Sequence, residues 1–401
     1  MKLSFSRMLF FLLGYILCFS DIASINNHFV DADTLQNFTF FEMEKQLKVV
    51  DEHAAKFIKT THGDTYECVD FYKQPAFDHL TMKNHLLHYK MHHLSSLYNS
   101  RTRKINDKNF GFLWENGVGC PMGTIPIQRV TKDKLLRLNS YSNKFKPHGS
   151  WNFTYNQYIV HGDQHHYAVA RTKRGEKKSY TGASMVISVH DPEVRYPQFS
   201  SARMHFQIGD DFIQVGWTVD PSLYPDMQTR SFVYTKAGKN ECYNSMCPAG
   251  IILVRSDIPL GVLRGPPGVR GSKQVSYDTY GLLKDKANGN WWLEFGGIQI
   301  GFWPANIFQQ SLGNSIEWGG EVYSASLPGP RMGNGYFPLL DPYYDAHVCN
   351  ITTVDENFNI DRMVKNIETF SDNNRSYKVN EDLDSGLPVG HIIYFGGPGK
   401  M

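Results

Sequence analysis

From about residue 151 onward the chain reads as short stretches in which apolar and polar side chains alternate, separated by Gly, Pro, Asn and Asp. Residues 183–189, 213–219, 251–254, 291–295 and 316–322 are the clearest of these. Alternation with period two sends successive side chains to opposite faces of a strand. Many short strands with turn residues between them predict an all-β, antiparallel β-sandwich. Along 213–219, Ile213, Val215, Trp217 and Val219 share an apolar face, while Phe212, Gln214, Gly216 and Thr218 share the other. The stretch 316–322 repeats the design, with Ile316, Trp318, Gly320 and Val322 on the apolar face and Glu317, Gly319, Glu321 and Tyr323 opposite. Two half-buried strands are expected. Glycines beside Gln214 and between Glu317 and Glu321 would leave bare backbone for a substrate chain to approach.

The pattern upstream is different. Phe41, Leu47, Val50, Ala54, Phe57 and Ile58 recur at helical spacing behind a Thr39/Glu42 capping box, which predicts an amphipathic helix over about 40–60. After His62-Gly63-Asp64 the pattern turns to strand through Tyr66 and Cys68, and residues 80–112, rich in His, Lys, Asn and Ser, read as loop or linker. At the start, Lys2 and Arg7 precede an apolar run over 8–19 that ends in Cys18-Phe19-Ser20, so residues 1–20 read as a signal peptide. The run is too short to span a bilayer, which predicts a secreted chain without a membrane anchor. Sequons at Asn37, Asn152, Asn350 and Asn374 agree with that route as glycosylation candidates.

Composition narrows the choice of partners. Lys plus Arg number 41 against 39 Asp plus Glu, so no nucleic-acid partner is expected. Loss of Cys18 with the signal peptide leaves five of the six cysteines in an oxidising compartment, one of them unpaired. Cys68 and Cys120 in the N-terminal third are expected to bridge, Cys242 and Cys247 to pin a short loop, and Cys349 to stay a free thiol. No second cysteine pair completes a zinc site. His161, Asp163, His165 and His166 look metal-like, but a polar cluster ahead of the strand at Tyr167 reads better as a loop, and neither metal nor cofactor is expected. Trp217, Trp292 and Trp303 are either substrate-stacking or core residues, and alternation turns Trp217 inward. Glu294 is a third carboxylate candidate or a solvated edge residue.

The segment Ile213-Gln214-Val215-Gly216-Trp217-Thr218-Val219-Asp220-Pro221-Ser222-Leu223-Tyr224 and the Glu317-Trp318-Gly319-Gly320-Glu321-Val322 motif do more than alternate. With WWLEFG at 291–296, GFWP at 301–304, YKQPAFDH at 72–79 and CPMGTIPI at 120–127, they resemble the plant neprosin family of secreted glutamic, proline-directed endopeptidases over about residues 40–360. The family pattern I-E-A-G-W-x-V-x-P-x-L-Y, followed by x-x-W-G-G-E-V, carries one catalytic Glu in each half. By that resemblance the second Glu falls on Glu321, with Glu317 as the alternative carboxylate, and the first is replaced by Gln214. Trp292 and Tyr323 are the substrate-binding candidates. The resemblance further implies a small α+β pro-domain over 25–150, acting as an intramolecular inhibitor and cut away within 139–150. A catalytic-type sandwich over 151–365 and a C-terminal tail over 366–401 would follow. The expected partner is a peptide or protein substrate in the apoplast or vacuole.

Gln214 divides the functional readings. An amide cannot shuttle the proton that two carboxylates share, yet its NH2 group can stabilise an oxyanion, a role worth about 3 kcal/mol of barrier. Fungal glutamic peptidases, a separate family with a similar sandwich, are built on a Gln and Glu pair. One reading is a zymogen endopeptidase with Glu321 as base and Gln214 as oxyanion donor. The other is a catalytically inactive sandwich that binds cell-wall peptides or glycans.

Overall fold

Pairing of the alternating stretches builds two antiparallel sheets. The computed structural model describes residues 54–60, 62–79, 119–129, 146–152, 165–173, 178–326, 328–383 and 390–399, with positions 82, 91, 131, 134 and 175 besides. The N-terminal region supplies β1 (Ala54–Lys59), β2 (Thr65–Asp70) and β3 (Thr124–Gln128), hydrogen-bonded in the order β1-β2-β3. There follow β4 (His165–Thr172), β5 (Tyr180–Ser188), β6 (Phe199–Ile208), β7 (Asp211–Val219), β8 (Arg230–Ala237), β9 (Asn240–Tyr243), β10 (Ile252–Leu253), β11 (Tyr277–Lys284) and β12 (Trp291–Phe295). The last are β13 (Ile298–Trp303), β14 (Ser315–Tyr323), β15 (His347–Asp355), β16 (Ile360–Asp361), β17 (Ile367–Ser371), β18 (Lys378–Asp382) and β19 (Ile392–Gly396). One sheet has seven strands in the order β17-β4-β14-β6-β7-β8-β9. The other has nine, running β10-β13-β12-β11-β5-β15-β19-β18 with β16 on β15.

The apolar faces of the two sheets meet in one core, with Ile213, Val215, Trp217, Ile316, Trp318 and Val322 from the first and Met185, Leu282, Trp291 and Phe302 from the second. Three buried polar tips bond across the gap. Trp217 Nε1 donates to Ser188 O at 2.9 Å, Tyr280 Oη to Gly216 O at 3.0 Å and Trp303 Nε1 to Thr235 Oγ1 at 3.0 Å. Such bonds fix how the sheets register on each other, because apolar contact alone has no direction. The N-terminal sheet packs on the sandwich as well. The Gln74 side-chain amide pairs with the backbone of Leu253 in both directions at 2.9 Å, and Asp64 meets Arg230 at 2.6 Å.

Three expectations change. The helix expected over 40–60 is overturned in its last turns, where 54–59 is β1, paired antiparallel with β2. There Ile58 is buried while its neighbour Phe57 is 45% exposed, and so short an apolar stretch cannot hold a helical period against a ladder of hydrogen bonds to β2. Residues 40–53 lie outside the described residues, as do the signal peptide, Asn37, His161, Asp163 and most of 80–118. The boundary at 365 also fails, since β17 lines one edge of the seven-stranded sheet and β19 pairs with both β15 and β18 inside the other. The closing Phe395-Gly396-Gly397 run is therefore integral to a sheet. Thirdly, the two strands expected to be half-buried are buried on both faces. Cys68–Cys120 and Cys242–Cys247 are disulfide-bonded, and Cys349 is a buried free thiol that burial pushes up to about 12. Among the described residues no helix is long and apolar enough to cross a membrane. Asn374 is exposed and Asn350 half-buried.

A chain ending at residue 365 is expected to be insoluble or to unfold without cooperativity, whereas one ending at 399 should match the full-length protein. Thermal unfolding followed by near-ultraviolet circular dichroism distinguishes the two.

Candidate active site

The outer face of the seven-stranded sheet carries the site, and strand register sets its geometry. In one row across the sheet Glu317 of β14, His205 of β6 and Gln214 of β7 are side by side. In the next row Arg203 has glycine on both sides, Gly319 and Gly216. Glu321 is one row further on, opposite Ser201. The glycines are required by close strand approach. A Cβ on Gly216 would lie 2.1 Å from Ala202 O, and one on Gly319, at φ +138°, would lie 2.4 Å from Ala168 O. Rather than opening backbone to a substrate, they leave the Arg203 guanidinium unflanked, and the carboxylates of Glu317 and Glu321 converge on it from the rows on either side.

Arg203, His205, Gln214, Glu317 and Glu321 are each 0% exposed. Arg203 Nε donates to Glu321 Oε2 at 3.2 Å and its Nη2 to Glu317 Oε2 at 3.0 Å. Gln214 Nε2 lies 3.2 Å from Glu321 Oε2, so the structure brings together the two residues singled out in the sequence. Glu317 is four residues away on the same face and bonds to Arg203 and Ser150. His165 Nδ1 lies 3.1 Å from Glu321 Oε1. His205 Nε2 donates to Gln207 Oε1 at 2.7 Å, because the Gln207 amide nitrogen already donates to Gly209 O and Asp211 O. That leaves His205 Nδ1 to accept from Gln214 Nε2 at 3.0 Å.

A segment from the N-terminal region lies across these groups. His148 donates its N–H to Glu321 Oε1 at 2.8 Å, and its carbonyl accepts from Gln214 Nε2 at 2.9 Å and Arg203 Nη2 at 3.4 Å. Ser150 donates its N–H and hydroxyl to Glu317 at 3.0 and 2.9 Å, and its carbonyl accepts from Arg171 Nη1 at 2.9 Å. Lys146 pairs with Glu241 at the entrance. The face thus matches the donors and acceptors of a peptide backbone with charged partners, which make the stronger hydrogen bonds. Gln214 Oε1 and Arg203 Nη1 remain buried without a hydrogen-bond partner among the described residues. An unsatisfied buried polar atom costs about 1–3 kcal/mol.

Burial pushes every carboxyl here upward, and the surrounding donors reverse it. For Glu321 the hydrogen bond from His165, the Arg203 charge and the His148 N–H hold the carboxyl down to about 2. For Glu317 burial is likewise outweighed, by the Arg203 charge first and then by the two Ser150 donors, leaving it below the usual carboxylate range. Burial pushes His205 down, so its imidazole is neutral. The assembly is an ionised carboxylate pair, a fixed guanidinium and an amide donor, able to hold a peptide and to stabilise charge on its carbonyl oxygen.

Other candidates fall elsewhere. Trp292 is fully buried on β12 in the second sheet, against Phe302 at 4.9 Å between ring centroids, so it packs the core and does not line this face. Tyr323 is on the right face, two residues past Glu321, but is buried in an aromatic cluster with His165 and Phe199. Glu294 is on the second sheet, where burial pushes it up to about 7 against a hydrogen bond to Gln299. His166 bonds Asp372, and among the described residues no group of three or more His, Cys, Asp or Glu is placed to hold a metal. Arg203 and His205 are the residues that the sequence reading passed over. Their signal was present, because 199–208 alternates Ala202, Met204, Phe206 and Ile208 with Ser201, Arg203, His205 and Gln207.

Residues 196–398 match the family model described as Neprosin, and residues 57–171 match the one described as Neprosin activation peptide. Among solved structures, Scytalido-glutamic peptidase with a peptide-based transition-state analogue aligns at 9% identity and TM-score 0.29, covering 58% of this chain and 97% of that one. A tetrameric galectin from Cinachyrella sp. aligns at 13% identity and TM-score 0.22, covering 40% of this chain and 90% of that one.

Because Glu321 is held at about 2 against an ordinary 4.5, its stabilising contribution is present above about pH 4.5 and is lost as pH falls toward 2. Wild-type protein should lose stability across that window. Glu321→Gln leaves Arg203 with one buried partner fewer and should lower stability at neutral pH by about 3–5 kcal/mol. It should also show a shallower acid limb. Chemical denaturation at a series of pH values measures both.

Proposed function

The chain belongs to the neprosin family, and from that premise we propose that it is a secreted endopeptidase made as a zymogen, acting on proline-containing peptides with Glu321 and Gln214 as its catalytic pair. The observation that carries this reading is the fit of residues 147–150 to the site. Pro147 is buried, and the nitrogen that follows it, on His148, is 2.8 Å from Glu321 Oε1. Hydrolysis of a Pro–x bond must deliver a proton to that nitrogen. Glu321 would take a proton from water as the hydroxyl adds to the proline carbonyl carbon, then pass it to the leaving amine as the C–N bond breaks. Gln214 and Arg203 would hold the carbonyl of the residue after the scissile bond, as they hold the His148 carbonyl in the bound segment, and so fix the leaving side of the chain against Glu321. Glu317 would anchor the chain two residues beyond, as it anchors Ser150.

The activation-peptide region is consistent with an intramolecular inhibitor, since it contributes the segment that covers Glu321. A binding protein without catalysis is the competing reading, and Gln214 favours it, because an amide offers no second titratable group. In the bound segment Gln214 faces the His148 carbonyl and Glu321 Oε2, both acceptors. A carboxyl there would have to hold a proton to keep the same contacts.

Initial rates on a proline-containing peptide, measured at acid and neutral pH for the protein cut after Ser150 so that the covering segment can leave, decide between the two. Glu321→Gln should lower activity at least about 100-fold, the usual worth of a general base. Gln214→Glu should be faster than wild type at acid pH, where two close carboxyls share a proton. Negligible rates for both wild type and Gln214→Glu would favour a binding cleft, and wild-type activity surviving Glu321→Gln would move the base to Glu317.

A further inference from the structure

The bound segment has one position where the site tolerates no side chain. A Cβ on Gly149 would lie 2.6 Å from His205 Nε2 and 2.7 Å from its Cε1, closer than side-chain carbons approach other atoms. The backbone of Gly149 is not in the left-handed region, so glycine is not required there for its dihedral freedom. Space alone excludes other residues. His205 cannot turn aside, since it is fully buried, bonded at one nitrogen to Gln207 and at the other to Gln214, and packed on Phe212 at 4.6 Å between centroids. Moving the ring would break both of these buried hydrogen bonds and take from Gln207 Oε1 its donor.

We propose that this cleft selects peptides carrying glycine at the second residue after proline, and that His205 is the specificity-determining side chain. The inference deepens the reading of the site as a peptide-processing cleft and rests on the bound segment lying as a substrate lies. The ligand class is then an extended Pro-x-Gly peptide. Its proline precedes the nitrogen at Glu321, its x carbonyl meets Gln214 and Arg203, its glycine passes over His205, and the following residue donates to Glu317.

The test uses the full-length chain. Gly149→Ala should displace the segment and raise amide hydrogen exchange of residues 146–151 by about tenfold or more, without loss of cooperative unfolding. Adding His205→Ala should make room for the new methyl group and restore exchange to near the wild-type rate. Binding to the Gly149→Ala protein is then measured by fluorescence anisotropy with labelled Lys-Pro-His-Gly-Ser-Trp and Lys-Pro-His-Ala-Ser-Trp. The glycine peptide should bind about tenfold or more tightly than the alanine peptide. Unchanged exchange in Gly149→Ala, or equal binding of the two peptides, would overturn the proposal. If the double variant does not fold, the peptide comparison still decides. Because the readout is binding, glycine selection without hydrolysis would support this inference while removing the peptidase reading.

Discussion

One buried positive charge organises the outer face of the seven-stranded sheet. Arg203 has no exposed surface, and a guanidinium that has lost its water is tolerated only when it is paired and hydrogen-bonded. Glu317 and Glu321 supply the pairing from the neighbouring strand, and the two glycines in its row leave the sheet flat enough for the head group to lie between them. Everything else at the site follows from that demand. Gln214 and His165 complete the shell around Glu321, and His148 and Ser150 close it from outside with backbone donors. A peptide in the cleft is therefore part of how the charge cluster is kept out of water.

The sandwich and the meeting of Gln214 with Glu321 were legible because period-two alternation is a local signal, and it assigns both residues to the polar side of their strands. Arg203 and His205 carried the same signal in β6, yet nothing local says that β6 lies between β7 and β14, and only that adjacency makes them central. The glycines illustrate a different limit. Glycine beside a polar residue in a strand suits either an approaching ligand or an approaching strand, and only the register, with Ala202 and Ala168 carbonyls against them, chooses the second. Trp292 was open to both a binding and a packing role, and burial on the second sheet resolves it as packing.

The N-terminal region was the hardest part to read, for a physical reason. Its short strands gain little from their own patterning and owe their conformation to partners far away in the chain, such as Leu253, Leu260 and Arg230. The same holds for residues 366–399, whose strands finish sheets begun two hundred residues earlier. Sequence distance and contact distance diverge most at the two ends of this fold, and a local period carries least information there.

The Cys68–Cys120 bridge gives this arrangement an uneven response to breaks in the chain. A cut anywhere between 69 and 119 leaves the two ends covalently joined, so β1 and β2 stay attached to β3 and to everything downstream. Such nicks are silent with respect to the cleft until the bridge is reduced. Only a cut beyond Cys120 severs the tether between the N-terminal sheet and the sandwich. The position of that cut relative to His148 then determines which piece keeps the segment: one ahead of it leaves the segment as a new N-terminus of the sandwich, and one behind it leaves the segment as a tail of the departing sheet. The same covalent link that tolerates damage in one stretch thereby confines effective processing to another.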